Sequence, residues 1–218
     1  MLHNSIKDLP RQMTATIRGM FALCLAVLLN ACATAPPAVA PVAGEEPVQI
    51  FPSDASDRYA RALGYMDAGD DAQAAVAFRA LAADYPDYAG PLVNLGIIES
   101  RAGNTADGIA LLENAVVICT NCAPAWNQLG ILLRRQGQFA EAEKAYQQAL
   151  NLNPDYALAH YNLGVLYDLY QQQPAFAVQH YERYVALRSD DTALVDKWIT
   201  DLRRRIGEPA QAAQAEEL

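Results

Sequence analysis

The sequence predicts an all-α chain, a solenoid of four stacked helix pairs closed by a C-terminal capping helix. Three observations carry this. One spacing of large and small residues returns every 34 residues through the middle of the chain. Apolar residues inside each segment recur at helical intervals, and no stretch alternates with the two-residue period of a half-buried strand. Glycine and proline punctuate the segments at fixed places, as turns require.

The segment 123–156, "APAWNQLGILLRRQGQFAEAEKAYQQALNLNPDY", sets the pattern with Trp126, Leu129, Gly130, Leu133, Gly137, Ala142, Tyr146, Ala149 and Pro154. One step back, 89–122 places Leu92, Leu95, Gly96, Gly103, Gly108, Leu112 and Ala115 in the same slots. A further step, 55–88, does so with Tyr65, Gly69, Ala74, Phe78, Leu81 and Pro86, although Arg58 and Arg61 stand where apolar residues are expected. Terminal repeats are often atypical because one face has no neighbour. The segment 157–191 keeps His160, Leu163, Gly164 and Tyr167 in register, then slips by one after "QQQP", so that Ala177, Tyr181 and Tyr184 fill the later slots. This predicts one extra residue in the turn between its two helices. Residues 192–207 carry Leu194, Val195, Trp198, Ile199, Leu202 and Ile206 at helical spacing and predict the cap.

Nine positions of 123–156 fall into the register of the tetratricopeptide repeat, which this sequence resembles closely. The resemblance implies a right-handed superhelix in which small residues let paired helices approach and large ones fill the space beside them. Such stacks need about three repeats to bury a continuous core. It further implies protein partners, held in a concave groove lined by the first helix of each pair. The groove residues on that reading are Asn94, Arg101, Asn127, Ile131, Arg134, Arg135, Tyr161, Asn162 and Val165. The asparagines would bond a peptide backbone and the arginines an acidic segment, unless the asparagines pack within the repeat and the arginines are merely solvated.

The N-terminus bears on compartment. Residues 20–29, "MFALCLAVLL", follow Lys7, Arg11 and Arg18 and are too few to span a bilayer. This is the order of a secretory signal peptide, 1–31. "LNAC" (29–32) resembles the lipobox of bacterial lipoproteins, which would make Cys32 the lipidated first residue of the mature chain. Ordinary cleavage at "ACA" or "ATA" is the alternative. With Ala33 after the cysteine, the resemblance implies the inner leaflet of the outer membrane, facing the periplasm. Residues 32–54, with Pro36, Pro37, Pro41, Pro47 and Pro52, read as an extended linker. Residues 208–218, "EPAQAAQAEEL", read as a frayed acidic tail.

The chain carries a net charge of −9, and losing the leader would make it more acidic, with Lys144 and Lys197 as its remaining lysines. Nucleic acid is excluded as a partner, because a phosphate backbone demands clustered Lys and Arg. No phosphate loop, nucleophile–base pairing or cluster of metal ligands is visible, so the sequence predicts no enzyme, cofactor or metal beyond the lipid on Cys32. The one motif with chemistry is "CTNC". Cys119 and Cys122 straddle a turn between repeats, where they are open to a disulfide, to reduced thiols or to half a metal site; a disulfide clip is the reading the oxidising compartment favours. A lipidated cysteine followed by such repeats resembles lipoproteins that assist pilus assembly. The expected function is a membrane-tethered adaptor for a pilus, secretion or energy-coupling complex. A scaffold that recruits peptidoglycan hydrolases or proteases is the alternative.

Overall fold

The first helix of each of the first three pairs ends where a glycine turns left-handed. Gly69, Gly103 and Gly137 have φ of 76°, 92° and 81°, a conformation costly for residues with a Cβ. The N–H of the following residue donates back to a carbonyl five residues earlier: Asp70 to Tyr65, Asn104 to Glu99 and Gln138 to Leu133, at 2.8–2.9 Å. These close the helix ends and start the return.

The protein is seen here as a computed structural model that describes residues 52–190 and 192–207, all within one compact unit. The signal peptide, Cys32, most of the linker and the 208–218 tail lie outside the described residues. The helix pairs are α1 (Ser53–Asp67) with α2 (Asp71–Asp84), α3 (Ala89–Arg101) with α4 (Thr105–Ile118), and α5 (Ala123–Arg135) with α6 (Phe139–Leu152). The fourth pairs α7 (Ala157–Val165), which continues as a π-helical turn over Leu166–Tyr170, with α8 (Pro174–Ala186); α9 (Ala193–Arg205) closes the stack. Each helix packs on the next, and α5 also touches α3 and α7. Among the described residues there is no strand, and no helix long and apolar enough to cross a membrane.

The extra residue of the fourth repeat is not in the turn. Gln171, Gln172 and Gln173 form the same three-residue connection as Ala68–Gly69–Asp70, with Gln172 at φ 54° in the glycine's place. The insertion is absorbed one turn earlier, where Gln171 N–H donates to Leu166 O at 3.0 Å and Gln173 N–H to Tyr167 O at 2.8 Å. A single wide turn of this kind takes up one residue without ending the helix.

Close approach inside each pair follows from the small residues. A Cβ on Gly96 would lie 2.9 Å from the Gly108 carbonyl, and one on Gly108 would lie 2.7 Å from the Gly96 carbonyl. In the next two pairs a tyrosine ring fills the gap instead: a Cβ on Gly130 would meet Tyr146, and one on Gly164 would meet Tyr181, each at 2.5 Å. The core runs from Phe78 and Leu81 through Leu112, Tyr146, Leu163 and Tyr181 to Leu202, all buried. Burying each such side chain contributes about 1.5–3 kcal/mol. At the open end, Arg58 pairs with Asp84 at 2.6 Å and lies 5.8 Å from the Tyr85 ring centre, which explains a charge where later repeats have apolar residues.

Candidate interaction surface

The first-helix positions divide into wiring and free surface. Asn94 Nδ2 donates to the Tyr59 hydroxyl at 2.7 Å and to Gly90 O at 3.0 Å, and Asn162 Nδ2 donates to Asn127 Oδ1 at 3.0 Å. Arg135 donates to the Ser100 hydroxyl at 2.7 Å. The Asn94–Tyr59, Asn162–Asn127 and Arg135–Ser100 bonds each span 35 residues, one repeat plus one residue. Each therefore ties a first helix to the one before it.

This corrects the groove expected from sequence. Asn94, Asn127 and Asn162 are buried and their amides bond within the stack. Tyr161 and Val165 are buried as well, and the Tyr161 ring packs 5.2 Å from Tyr184 and 6.2 Å from Trp198. A buried amide must find a partner, and the neighbouring repeat is within its reach. Arg101 is exposed and paired with Asp71 at 3.1 Å, and Ile131 is half-buried against the core.

What remains is built around the end of α5, where Arg134 is half-buried and Arg135 stays exposed although it bonds Ser100. Arg134 donates from Nε to the Tyr146 hydroxyl and from a terminal nitrogen to the Tyr170 hydroxyl, both at 3.3 Å, and its guanidinium lies 5.4 Å from the Tyr170 ring centre. Burial works against the Arg134 charge, but the two phenols outweigh it and its pKa stands above the ordinary arginine value. Burial pushes the Tyr146 phenol up to about 12, against the pull of Arg134. Among the described residues neither Arg134 nor Arg135 meets a carboxylate, whereas Arg58, Arg79, Arg101 and Arg205 all do. The π turn sets Tyr170, 42 % exposed, against Arg134, and the residue before it, Leu169, is 47 % exposed. Tyr170 packs 5.0 Å from Phe139.

Both family models that match the chain describe this repeat: "Tetratricopeptide repeat" over residues 59–123 and "TPR repeat" over 130–173. The chain is a tetratricopeptide-repeat protein. Crystal structures of MamA resemble the array, one at 25 % identity over 72 % of this chain and 87 % of that one, with a TM-score of 0.59. PilF of Pseudomonas aeruginosa does so at 22 % identity over 70 % of this chain and 69 % of its own, TM-score 0.64. A thermophilic TPR protein of Thermus thermophilus does so at 18 % over 70 % and 83 %, TM-score 0.58. No curated protein matches. Tetratricopeptide arrays are protein–protein interaction scaffolds, and this one takes protein partners.

The turn between the second and third tetratricopeptide repeats holds the "CTNC" motif. Cys119 ends α4, Cys122 precedes α5, and a disulfide joins them with their Cα atoms 5.4 Å apart. Neighbouring turns use the same two positions differently. Tyr85 and Tyr88 occupy them in "YPDY", their rings 6.1 Å apart, and Asn153 and Tyr156 in "NPDY". In all three turns the N–H of the last residue donates to the carbonyl of the first, at 3.1–3.3 Å. The cystine thus stands where the other linkers rely on proline and tyrosine. Both cysteines are 7 % exposed and belong to the core.

One pair was invisible in the sequence. His160 and His180 face each other with their Nδ1 atoms 3.0 Å apart, and His160 Nε2 lies 3.0 Å from Pro154 O. His180 stacks on Tyr167 at 5.5 Å, and the Tyr167 hydroxyl donates to Glu143 at 2.8 Å.

Proposed function

We propose that this chain is a membrane-tethered adaptor of the cell envelope. On this reading Cys32 carries the lipid and the linker spaces the array from the inner leaflet of the outer membrane. The surface around Arg134 and Arg135 then engages a protein during assembly of a pilus, secretion or energy-coupling complex. One observation carries the choice of surface: on an acidic chain, two adjacent arginines lack any carboxylate among the described residues, although eight other arginines have one. Such a pair suits an acidic partner segment, since a guanidinium receives a carboxylate through two parallel hydrogen bonds. The leader and "LNAC" support the tether; the solved relatives speak for the fold and not for the machine.

In-cell crosslinking of the tagged full-length protein, alongside Arg134→Glu/Arg135→Glu and Cys32→Ser variants, tests the reading. A secretin or pilus subunit captured by the parent and lost in the charge reversal is the expected result. Sedimentation of the Cys32→Ser protein with membranes as fully as the parent would overturn the tether. Capture of a hydrolase unaffected by the charge reversal would overturn both the function and its surface.

A further inference from the structure

We infer that residues 208–218 of this same chain dock on the Arg134–Tyr170 patch and occupy it in cis. Arg205, in the last turn of α9, donates to Asp168 Oδ1 at 3.3 Å, and Asp168 immediately precedes Leu169 and Tyr170. The described chain therefore ends at Gly207, two residues beyond a side chain that reaches Asp168. Asp168 and Arg134 are equivalent positions of adjacent first helices, 34 residues apart in sequence. Packed helices stand about 8–10 Å apart, while the nine residues from Gly207 to Glu216 reach up to about 30 Å. Reach is no obstacle.

The chemistry matches. Residues 208–218 hold Glu208, Glu216, Glu217 and Leu218 and no basic side chain. The patch offers two guanidiniums without carboxylates among the described residues and, against Arg134, the exposed Tyr170, with Leu169 exposed just before it in the chain. Two adjacent carboxylates followed by a leucine fit both halves of that surface. Asp168 does not repel them, because Arg205 already neutralises it. An isolated exposed ion pair is weak. A short tether, however, holds its end at an effective concentration in the millimolar range, which populates a contact too weak to survive between separate molecules. A partner's acidic segment must then displace the tail, so the tail sets a threshold for binding. This contact needs no partner to exist, and its failure leaves the adaptor reading standing.

The test compares the full-length chain in detergent with its Glu216→Gln/Glu217→Gln variant, reading the Arg134 Nε–H and Tyr170 ring signals by NMR. The variant removes charge without touching the folded array, and an unchanged melting temperature checks this. The expected result is that both signals move in the variant, that 0.5 M salt moves them the same way in the parent, and that Arg134→Gln makes Tyr170 insensitive to the tail charge. A synthetic peptide of residues 208–218, added to the variant, should restore the parent signals in a saturable way. Signals identical in parent and variant would overturn the docking. So would a shift that grows with protein concentration, which would place the tail on a second copy.

Discussion

His160 and His180 share a single proton between their Nδ1 atoms, 3.0 Å apart. His160 Nε2 faces the Pro154 carbonyl and so carries its own hydrogen. In the neutral pair His160 Nδ1 therefore accepts and His180 Nδ1 donates. Protonating both rings would set two N–H groups against each other. Burial first, and the neighbouring ring second, hold His180 down to about 4, and burial lowers His160 as well.

The folded state thus resists a proton that the unfolded chain accepts near pH 6.5. Stability is complete above that value, falls as pH drops from about 6.5 to about 4, and loses nothing further from this pair below it. Discounted for partial exposure of the ring, the loss is about 1–2 kcal/mol. Urea midpoints measured across this window should fall for the parent and fall distinctly less for His180→Phe. Parallel pH profiles would show that the pair is not the source.

The fold was legible because the 34-residue period is written in side-chain size, which sequence displays directly. Gly130 opposite Tyr146 and Gly164 opposite Tyr181 repeat the same fit. The wiring was not legible, for a reason of helical phase. Neighbouring positions on a helix differ by about 100°, so Asn127 and Asn162, one position apart in their repeats, read equally as groove or packing. Only the stack shows that they meet. The register slip after "QQQP" looked like a lengthened turn, yet Gln172 takes the place that glycine holds in the other repeats and the π turn absorbs the residue. Nothing in one dimension pairs His160 with His180.

Asn127→Leu removes the acceptor of Asn162 while keeping an apolar filler. The stranded amide sits in a site that is nearly dry, Asn127 being 1 % and Asn162 7 % exposed. Leaving it unbonded should cost about 1–3 kcal/mol by chemical denaturation. Adding Asn162→Leu should recover part of that, because neither residue then needs a partner. A double variant as unstable as the sum of the singles would deny the coupling.

The cystine closes a very short loop, so its effect on the unfolded chain is small: about 2 kcal/mol from loop entropy. Dithiothreitol, or Cys119→Ser/Cys122→Ser, should lower the melting temperature by roughly 4–8 °C without changing helix content. Inserting proline at Thr120 in the double serine variant, to mimic Pro86 and Pro154, should restore some of it. Loss of helical signal on reduction would mean that the link shapes the array and does not merely brace it.

Gly130→Ala tests the packing rule at its tightest point. The added Cβ would stand 2.5 Å from a Tyr146 ring that is fully buried and tethered through its hydroxyl to Arg134, so neither can step aside. Overpacking of this kind costs about 1–3 kcal/mol. Gly64→Ala is the control, for it lies in α1 with nothing within 4 Å of its Cβ. There alanine should stabilise by about 0.5–1 kcal/mol through helix propensity alone. The second repeat suggests a rescue: it carries Leu112 where the third carries Tyr146. Adding Tyr146→Leu to Gly130→Ala should return part of the lost stability, although Tyr146→Leu alone destabilises. If the two changes simply add, the glycine is retained for some reason other than the ring it faces.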